Sequence, residues 1–404
     1  MNLFDALRPW ADVVLEQVPG LELFDAHTHL GFNDPDGMKQ SPDELMTSLR
    51  AAGARGAFTF PFHEPDGYRA ANDAVIEAAR DSEGLLIPFC RVNPHDDPLP
   101  EARRALEAGA QGIKLHPRAE EFTLDHPGVK PVIALAHERS LPVLIHAGRG
   151  IPALGLHAVQ LAEEFPDARL ILAHAGICDL SWIWRVAGDL PNLLFDTAWW
   201  IPTDFETLFS LVPAGQIVFA SDAPYGNTFI SAAFQLRWAL QLGFSADQIR
   251  SIAAGQSLRL AAREPLDPAG PPLGEREKAP HLLLDRVAYF LLFSAMGTMR
   301  GVDPTEMLAL ARLACDVPEE IDDAPVFAAI RGLLDDYEAY AADAGRDAEG
   351  VVGAARPINR DSRRAITFLI LAATVARTPD VPIPPAVLER AGGSAPRSAA
   401  VRSA

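Results

Sequence analysis

Eight short apolar segments recur at regular intervals through the first part of the chain, and they constrain its fold more than any other feature. The segments between them read as helices, for example at 42–50, 70–80, 100–108, 129–139 and 155–165. Strands this apolar, without polar alternation, suit a parallel sheet that is buried on both faces. Eight strand–helix units therefore predict an α/β fold, a (β/α)8 TIM barrel. The eight segments end near His29, Phe62, Val92, Leu115, His146, His174, Thr197 and Ser221.

The chain changes character after the predicted barrel. We assign a helical lead-in to residues 1–20, the barrel to 21–263 and a linker rich in Pro and Gly to 264–280. Beyond the linker, segments at 282–299, 304–314, 324–342 and 361–376 carry apolar residues at helical spacing. We expect a smaller C-terminal all-α region over residues 281–390, followed by a disordered tail at 391–404.

Histidine and aspartate side chains follow several of the predicted strands. His27 and His29 lie two apart in an extended segment, so their imidazoles project from the same face. His146, His174 and Asp222 each follow an apolar segment of their own. The active site of such a barrel lies at the C-terminal ends of its strands, so these five side chains should meet at one rim. Neutral imidazole is the commonest side-chain metal ligand, and the set predicts a metal site.

Other side chains at predicted strand ends are weaker candidates. Arg91 ends the third strand, where its planar guanidinium either pairs with an anionic substrate or forms a salt bridge beneath a loop. Trp199 and Tyr225 follow the seventh and eighth strands and either form an apolar wall over the metal or pack a loop against the rim. His63 and His116 also sit at strand ends, without a pattern that specifies their role.

Five short motifs, taken in order, give the chain a family resemblance over about residues 20 to 265. It resembles the amidohydrolase superfamily, and within it the amidohydrolase-related (amidohydrolase 2) branch. That branch also contains metal-dependent decarboxylases of the aminocarboxymuconate-semialdehyde type. The motifs are Asp25-Ala-His-Thr-His, Gly112-Ile-Lys-Leu-His-Pro, Leu144-Ile-His-Ala-Gly, Leu172-Ala-His-Ala-Gly and Phe219-Ala-Ser-Asp-Ala-Pro-Tyr-Gly.

The resemblance implies a role for each of the five candidate ligands. His27, His29, His146 and Asp222 would bind one divalent metal, with Zn²⁺ the expected ion and a second ion an alternative. His174 would complete the coordination or carry protons beside the bound water, and Asp222 would pass the proton of that water to the leaving group. Zn²⁺ accepts His nitrogen and carboxylate oxygen, and a catalytic zinc site keeps one position open for water.

Lys114 ends the predicted fourth strand and leaves three alternatives open. In some members of the family a carboxylated lysine bridges two metals, and here it would hold the second metal together with His146 and His174. A plain ammonium would instead bind a substrate carboxylate. The third alternative is a lysine whose head reaches solvent at the rim. We favour one metal and a substrate-facing Lys114.

Three functions are compatible with these residues. The first is a hydrolase in which metal-bound hydroxide attacks an amide, lactone or related bond of a small molecule. The second is a non-oxidative decarboxylase of an unsaturated or aromatic carboxylic acid. The third is a non-catalytic barrel scaffold with a helical region that binds a partner. Hydrolysis is placed first because it dominates the superfamily.

Composition and hydropathy limit which binding partners and which cellular location we expect for this protein. A net charge of −19 argues against a nucleic-acid partner, because phosphates would be repelled. We expect no apolar run that approaches the ~18 residues of a membrane span and no signal peptide, and therefore a cytoplasmic enzyme without a membrane partner. The apolar faces of the C-terminal helices need a partner, either the barrel or a second copy, so a homo-oligomer is one expectation.

Overall fold

The computed structural model describes residues 3–35, 37–274, 281–346 and 360–390. The chain divides into two compact units. The barrel unit comprises Val18–Ser231 and Leu242–Arg276, and the helical unit comprises Met1–Gln17, Ala232–Gln241 and Glu277–Ala404. The predicted tail at 391–404 and the end of the predicted linker, 275–280, lie outside the described residues.

Eight parallel strands form the barrel in chain order, which confirms the predicted (β/α)8 fold. The ring closes between its last and first strands, where the backbone N–H of Ala26 donates to the carbonyl of Phe219 (2.9 Å) and that of His29 donates to Ala223 (2.8 Å). The strands are β1 Leu23–Leu30, β2 Ala54–Pro61, β3 Leu86–Arg91, β4 Gly112–Leu115, β5 Pro142–Ile145, β6 Arg169–Leu172, β7 Leu193–Asp196 and β8 Ile217–Val218.

The α-helices follow the predicted pattern, and the four predicted C-terminal helices are confirmed as α12 to α15. In chain order they are α1 Leu3–Leu15, α2 Pro42–Ala51, α3 Arg69–Asp81, α4 Pro98–Ala108, α5 Val129–Glu138, α6 Gly155–Glu164, α7 Leu180–Ala187, α8 Pro202–Leu211, α9 Thr228–Leu242, α10 Ala246–Arg250, α11 Gln256–Ala262, α12 Leu282–Met299, α13 Thr305–Ala314, α14 Ala324–Arg346, α15 Arg360–Arg377 and α16 Pro385–Arg390.

Aromatic side chains fill the barrel interior beneath the C-terminal rim. Phe58 packs against Phe24 and Phe89, with ring centroids 4.9 and 4.6 Å apart. Gly112 on β4 is required by this packing, because a Cβ atom there would lie 2.6 Å from the Phe89 ring. The strands therefore close tightly below the rim, and the polar side chains that follow them are held above a filled core.

In the helical unit, α12 packs against α13 and α15, and α14 packs against α15 and α16. Arg237 on α9 is fully buried in this unit. Its guanidinium donates to the Thr378 hydroxyl (3.1 Å) and to the carbonyls of Thr378 (3.1 Å), Val381 (3.0 Å) and Pro382 (2.8 Å). A positive charge beside the carbonyls that follow α15 stabilises the end of that helix.

Among the described residues, α12 is long and apolar enough to cross a membrane by length and composition, with a mean hydropathy of 1.4 over 18 residues. The expectation that no apolar run approaches this length was therefore wrong. Asp285 and Arg286 interrupt the apolar run without ending the helix. A core helix of a soluble protein passes the same test, so the helix is weak evidence for a membrane partner.

Candidate metal centre

Three of the five predicted ligands meet at the rim where β8 closes onto β1. The Nε2 atoms of His27 and His29 lie 3.2 Å apart. The Asp222 Oδ1 atom lies 3.2 Å from the first and 3.1 Å from the second. Both imidazoles are buried, whereas the Asp222 side chain remains 20% exposed. The cluster therefore opens to solvent on the Asp222 side.

The tautomer of His27 is fixed by Asp196, at the end of β7. The His27 Nδ1 atom lies 2.7 Å from Asp196 Oδ2, and the other carboxylate oxygen accepts the backbone N–H groups of His174 (2.8 Å) and Ala198 (2.9 Å). A neutral His27 donates its Nδ1–H to this carboxylate, which leaves a lone pair on Nε2. That lone pair faces the Asp222 oxygen at 3.2 Å, an arrangement that favours a cation between them.

The spacing of these atoms fits one divalent ion. Metal–nitrogen and metal–oxygen bonds of about 2.0–2.2 Å place neighbouring ligand atoms roughly 3.0–3.5 Å apart. Burial lowers the pKa of His27 and of His29 well below their ordinary values and raises that of Asp222 well above its own. A cation among these side chains favours neutral imidazoles and an ionised carboxylate. It would therefore bind His27 and His29 in the neutral form that burial already favours, and it would favour the loss of the proton from Asp222.

The other two predicted ligands form a second pair beside the first group. His146 Nδ1 and His174 Nε2 lie 3.0 Å apart, and both side chains are buried. His174 donates its Nδ1–H to the Ala198 carbonyl (2.7 Å), so its Nε2 atom carries a lone pair. The His174 ring lies 5.2 Å from that of His27, between centroids. The structure thus brings the five residues to one rim as a group of three and a neighbouring pair.

Lys114 is buried beside these groups. Its Nζ atom has no hydrogen-bond partner within the part of the chain that the structure describes, and it lies 4.6 Å from the centroid of the Phe60 ring. The His29 ring packs edge-on against the same phenylalanine, with centroids also 4.6 Å apart. Burial lowers the pKa of Lys114 to about 7. The third alternative, a head group in solvent, does not match this environment.

Two loops at this rim are held in left-handed backbone conformations. Asp222 has φ 61°, and His174 and the following Ala175 have φ 57° and 59°. Such backbone costs about 1–3 kcal/mol per residue and is concentrated at functional sites. Each loop turns sharply after a short strand, and this turn brings the ligand side chain back over the barrel.

Asp25 anchors the loop that carries Asp222 through hydrogen bonds, a role that the sequence did not predict. Its carboxylate accepts hydrogen bonds from the Ser221 backbone (2.9 Å), the Ser221 hydroxyl (2.5 Å) and the Thr228 hydroxyl (2.6 Å). Burial raises the pKa of this carboxyl to about 6. The available signal was an acidic residue inside an apolar strand, two positions before His27.

Arg91 is buried and forms an ion pair within the protein. Its guanidinium is 2.6 Å from Glu120 Oε1 and also donates to the Pro61 carbonyl (3.3 Å). Tyr68 donates to the same Glu120 oxygen. Of the two sequence alternatives for Arg91, the structure has the salt bridge.

Trp199 and Tyr225 lie on two sides of the histidines. The Trp199 indole N–H donates to Asp204 (2.5 Å), and its ring lies 6.2 Å from that of His174. Tyr225 donates its hydroxyl to Asp34, is 40% exposed and places its ring 6.2 Å from that of His29. The indole is anchored to the first turn of α8 and the phenol to the loop after β1, while their rings flank the candidate centre.

Histidine and aspartate side chains clustered at the C-terminal rim of a (β/α)8 barrel are typical of one class of protein, the barrel enzymes with a divalent metal centre. The sequence profile of the family described as Amidohydrolase matches residues 24–260, more than half of the 404 residues. The chain belongs to this amidohydrolase family. No curated protein matches the chain.

Several solved structures resemble the chain over 60% of its length. One is a 2,6-dihydroxybenzoate decarboxylase from Rhizobium (15% identity, 98% of that chain covered, TM-score 0.49). Another is a 5-carboxyvanillate decarboxylase from Novosphingobium aromaticivorans in complex with manganese (16%, 96%, 0.46). A third is a 4-oxalomesaconate hydratase from Rhodopseudomonas palustris (16%, 96%, 0.43). At these identities and TM-scores, the similarities carry no argument about the reaction of this chain.

Proposed function

We propose that the chain is a metal-dependent hydrolase that cleaves an amide, lactone or related bond of a small molecule. His27, His29 and Asp222 would hold a divalent ion, with Zn²⁺ the expected one, and His146 and His174 would lie beside it. The observation that supports this most is the contact of the His27 Nε2 lone pair with the Asp222 carboxylate at 3.2 Å. Family membership supports an enzyme that acts on small molecules.

A divalent ion in such a site supplies a water with a pKa lowered to about 7 and polarises a substrate carbonyl. Asp222 suits the transfer of the water proton to the leaving group, because its carboxylate is the exposed member of the cluster. His174 suits a second proton-accepting role, since its Nδ1–H is donated to Ala198 and its Nε2 is unprotonated. Asp196 holds His27 in the tautomer that leaves Nε2 free.

Non-oxidative decarboxylation of an unsaturated or aromatic carboxylic acid is the second candidate. The buried Lys114 Nζ, which has no acceptor among the described residues, favours it. An ammonium in that position suits a substrate carboxylate beside the candidate centre. The same lysine, if carboxylated, would instead favour a second metal together with His146 and His174, and hydrolysis.

The test is to load the protein separately with Zn²⁺ and with Mn²⁺ and to screen amides, lactones and aromatic acids in ¹⁸O-labelled water. Both ions are needed because geometry and availability decide the metal more than affinity does. We expect ¹⁸O in the product and no release of CO₂. Release of CO₂ without ¹⁸O incorporation would establish the decarboxylase instead. Turnover that survives in a metal-depleted Asp222→Asn variant would overturn both candidates.

A further inference from the structure

His116 stacks on His146, one of the two histidines that form the second pair at the rim of the barrel. It follows β4 directly, and its ring stacks on that of His146 with centroids 4.1 Å apart and an interplanar angle of 11°. His146 beneath it is buried, whereas His116 is partly exposed. One face of the His116 ring is therefore occupied by a candidate ligand, while part of the ring remains open to solvent.

Hydrogen bonding fixes the tautomer of His116. The backbone N–H of Ala119 donates to its Nδ1 atom (3.2 Å), so that nitrogen carries the lone pair. The single proton of the neutral ring then resides on Nε2. Within the described residues no group accepts a hydrogen bond from this Nε2–H, which makes it a fixed and unused donor at the rim.

Three basic side chains lie near His116 in the chain or follow its stacking partner His146. Lys114 lies two residues earlier, and its Nζ also lacks an acceptor among the described residues. Arg118 and Arg149, on the loops after β4 and β5, are exposed and form no ion pair within the described ranges. The two loops touch, since a Cβ atom on Gly150 would lie 3.1 Å from the Arg118 Nε. In a chain of net charge −19, this concentration of unpaired cations suits an anionic group.

We propose that His116 contacts the substrate and donates its Nε2–H to a substrate carboxylate, which the neighbouring cations attract. The inference rests on the proposed function, because it assumes that this rim binds a substrate, and it goes further by assigning to His116 a direct contact with that substrate. Stacking on His146 holds the ring in place, and the bond from Ala119 holds its donor outward.

Two substitutions separate the donor from the stack. His116→Phe keeps an aromatic ring against His146 and removes the donor, whereas His116→Gln removes the ring and keeps an amide donor. Benzoate and benzamide serve as probes, since they share a ring and differ in carrying a carboxylate or a neutral amide. Calorimetric binding of both probes is measured on metal-loaded wild type and variants, together with metal content by elemental analysis.

We expect wild type to bind benzoate more tightly than benzamide. Losing a hydrogen bond to a charged acceptor should weaken benzoate binding roughly tenfold in His116→Phe, whereas benzamide, whose carbonyl is a neutral acceptor, should lose only about threefold. His116→Gln should stay within about threefold of wild type, because the amide still donates. All three proteins should hold the same amount of metal.

Three results would overturn the proposal. In the first, His116→Phe binds benzoate as tightly as wild type does; in the second, wild type does not prefer benzoate to benzamide; in the third, the variants lose metal. The last would make His116 a support or ligand of the metal centre rather than a substrate contact. A different outcome separates the two proposals. If the wild type binds no metal, and benzoate affinity still falls in His116→Phe and not in His116→Gln, the proposed function is refuted and the role of His116 stands.

Discussion

Arg237 in the helical unit and Lys114 in the barrel unit are both fully buried basic side chains, and their surroundings differ. Arg237 donates four hydrogen bonds to the Thr378 hydroxyl and to the carbonyls that follow α15. Lys114 has no acceptor among the described residues, and only an aromatic ring lies over its Nζ. A buried charge is costly unless it is paired, so the first arrangement is complete within the protein and the second is not.

Buried polar atoms without a partner occur in both units, since the indole N–H groups of Trp10 and Trp238 in the helical unit also lack one within the described residues. The rim of the barrel also buries His29 Nδ1 and His146 Nε2 without a hydrogen-bond partner in the described part of the chain. At the rim the unpartnered atoms belong to candidate ligands and to Lys114, so the ion and the substrate that we propose would give them the partners that buried polar atoms normally have. The acceptors of Arg237, by contrast, all lie within the helical unit.

The largest expected effect is on metal binding. Asp222→Ala removes the only anionic member of the three-residue cluster, so we expect metal affinity to fall roughly 100-fold or more while the fold is retained. Metal content and circular dichroism check the two parts, with the exposed His157→Ala as matched control. Full metal content in Asp222→Ala would show that the cluster is not the metal site.

The next effect separates the two buried cations by stability. Arg237→Met leaves three carbonyls and a hydroxyl without their donor, so it should lower the free energy of unfolding by about 3 kcal/mol or more. Lys114→Met removes a charge without acceptors and should change it by less than ~1 kcal/mol, or raise it. Denaturant titrations measure both. Equal destabilisation by the two substitutions would contradict the contrast drawn between the units.

A smaller effect is expected at the partner of His27. Asp196→Asn keeps the size of the side chain but no longer holds His27 with its Nε2 lone pair toward Asp222. Metal affinity should fall by about 10–100-fold, in the range seen for groups that orient metal ligands. Competition with a chromogenic chelator measures this. An affinity unchanged in Asp196→Asn would mean that the His27 tautomer does not depend on Asp196.

The pH dependence of stability gives a finer test of Lys114. Burial lowers its pKa to about 7 from 10.5, so the unfolded chain binds more protons at this site between these values. The native state should therefore gain stability from this group as pH rises from about 7 toward 10.5. Chelator-treated wild type should show this gain relative to Lys114→Met. The same pH profile in both proteins would mean that Lys114 titrates normally.

The smallest effect concerns the cysteines. Burial raises the pKa of Cys90 to about 12 and that of Cys178 to about 11. Both should remain thiols near neutral pH and react slowly with a disulfide reagent in the native protein, with the half-buried Cys178 the faster of the two. Mass spectrometry after timed labelling measures the order. Rapid labelling of Cys90 would show that the barrel opens locally.

The sequence predicted the strand ends well because each barrel strand is a short apolar run and each ligand follows one directly. The capping box at the start of α2, in which Ser41 and Glu44 bond each other's backbone, is a second signal of this kind. Both signals are local, since they lie within a few residues of one another.

Contacts between distant segments were beyond the sequence. The Asp25 carboxylate bonds Ser221, which is 196 positions away, and Arg91 turns inward to Glu120 on a loop after β4. Arg237 finds its acceptors more than 140 residues downstream. No periodicity or motif records which side chains the closed barrel or the packed helices bring together. The division of the five candidate ligands into a group of three and a pair likewise depends on how the barrel closes.

The measurement that tests the central claim most directly is metal content per chain in purified protein, with and without added bicarbonate. We predict about one divalent ion per chain in wild type and almost none in Asp222→Ala. An increase toward two ions with bicarbonate would add a carboxylated Lys114 that holds the second ion with His146 and His174. Wild type that takes up no divalent ion from supplemented medium would contradict the account.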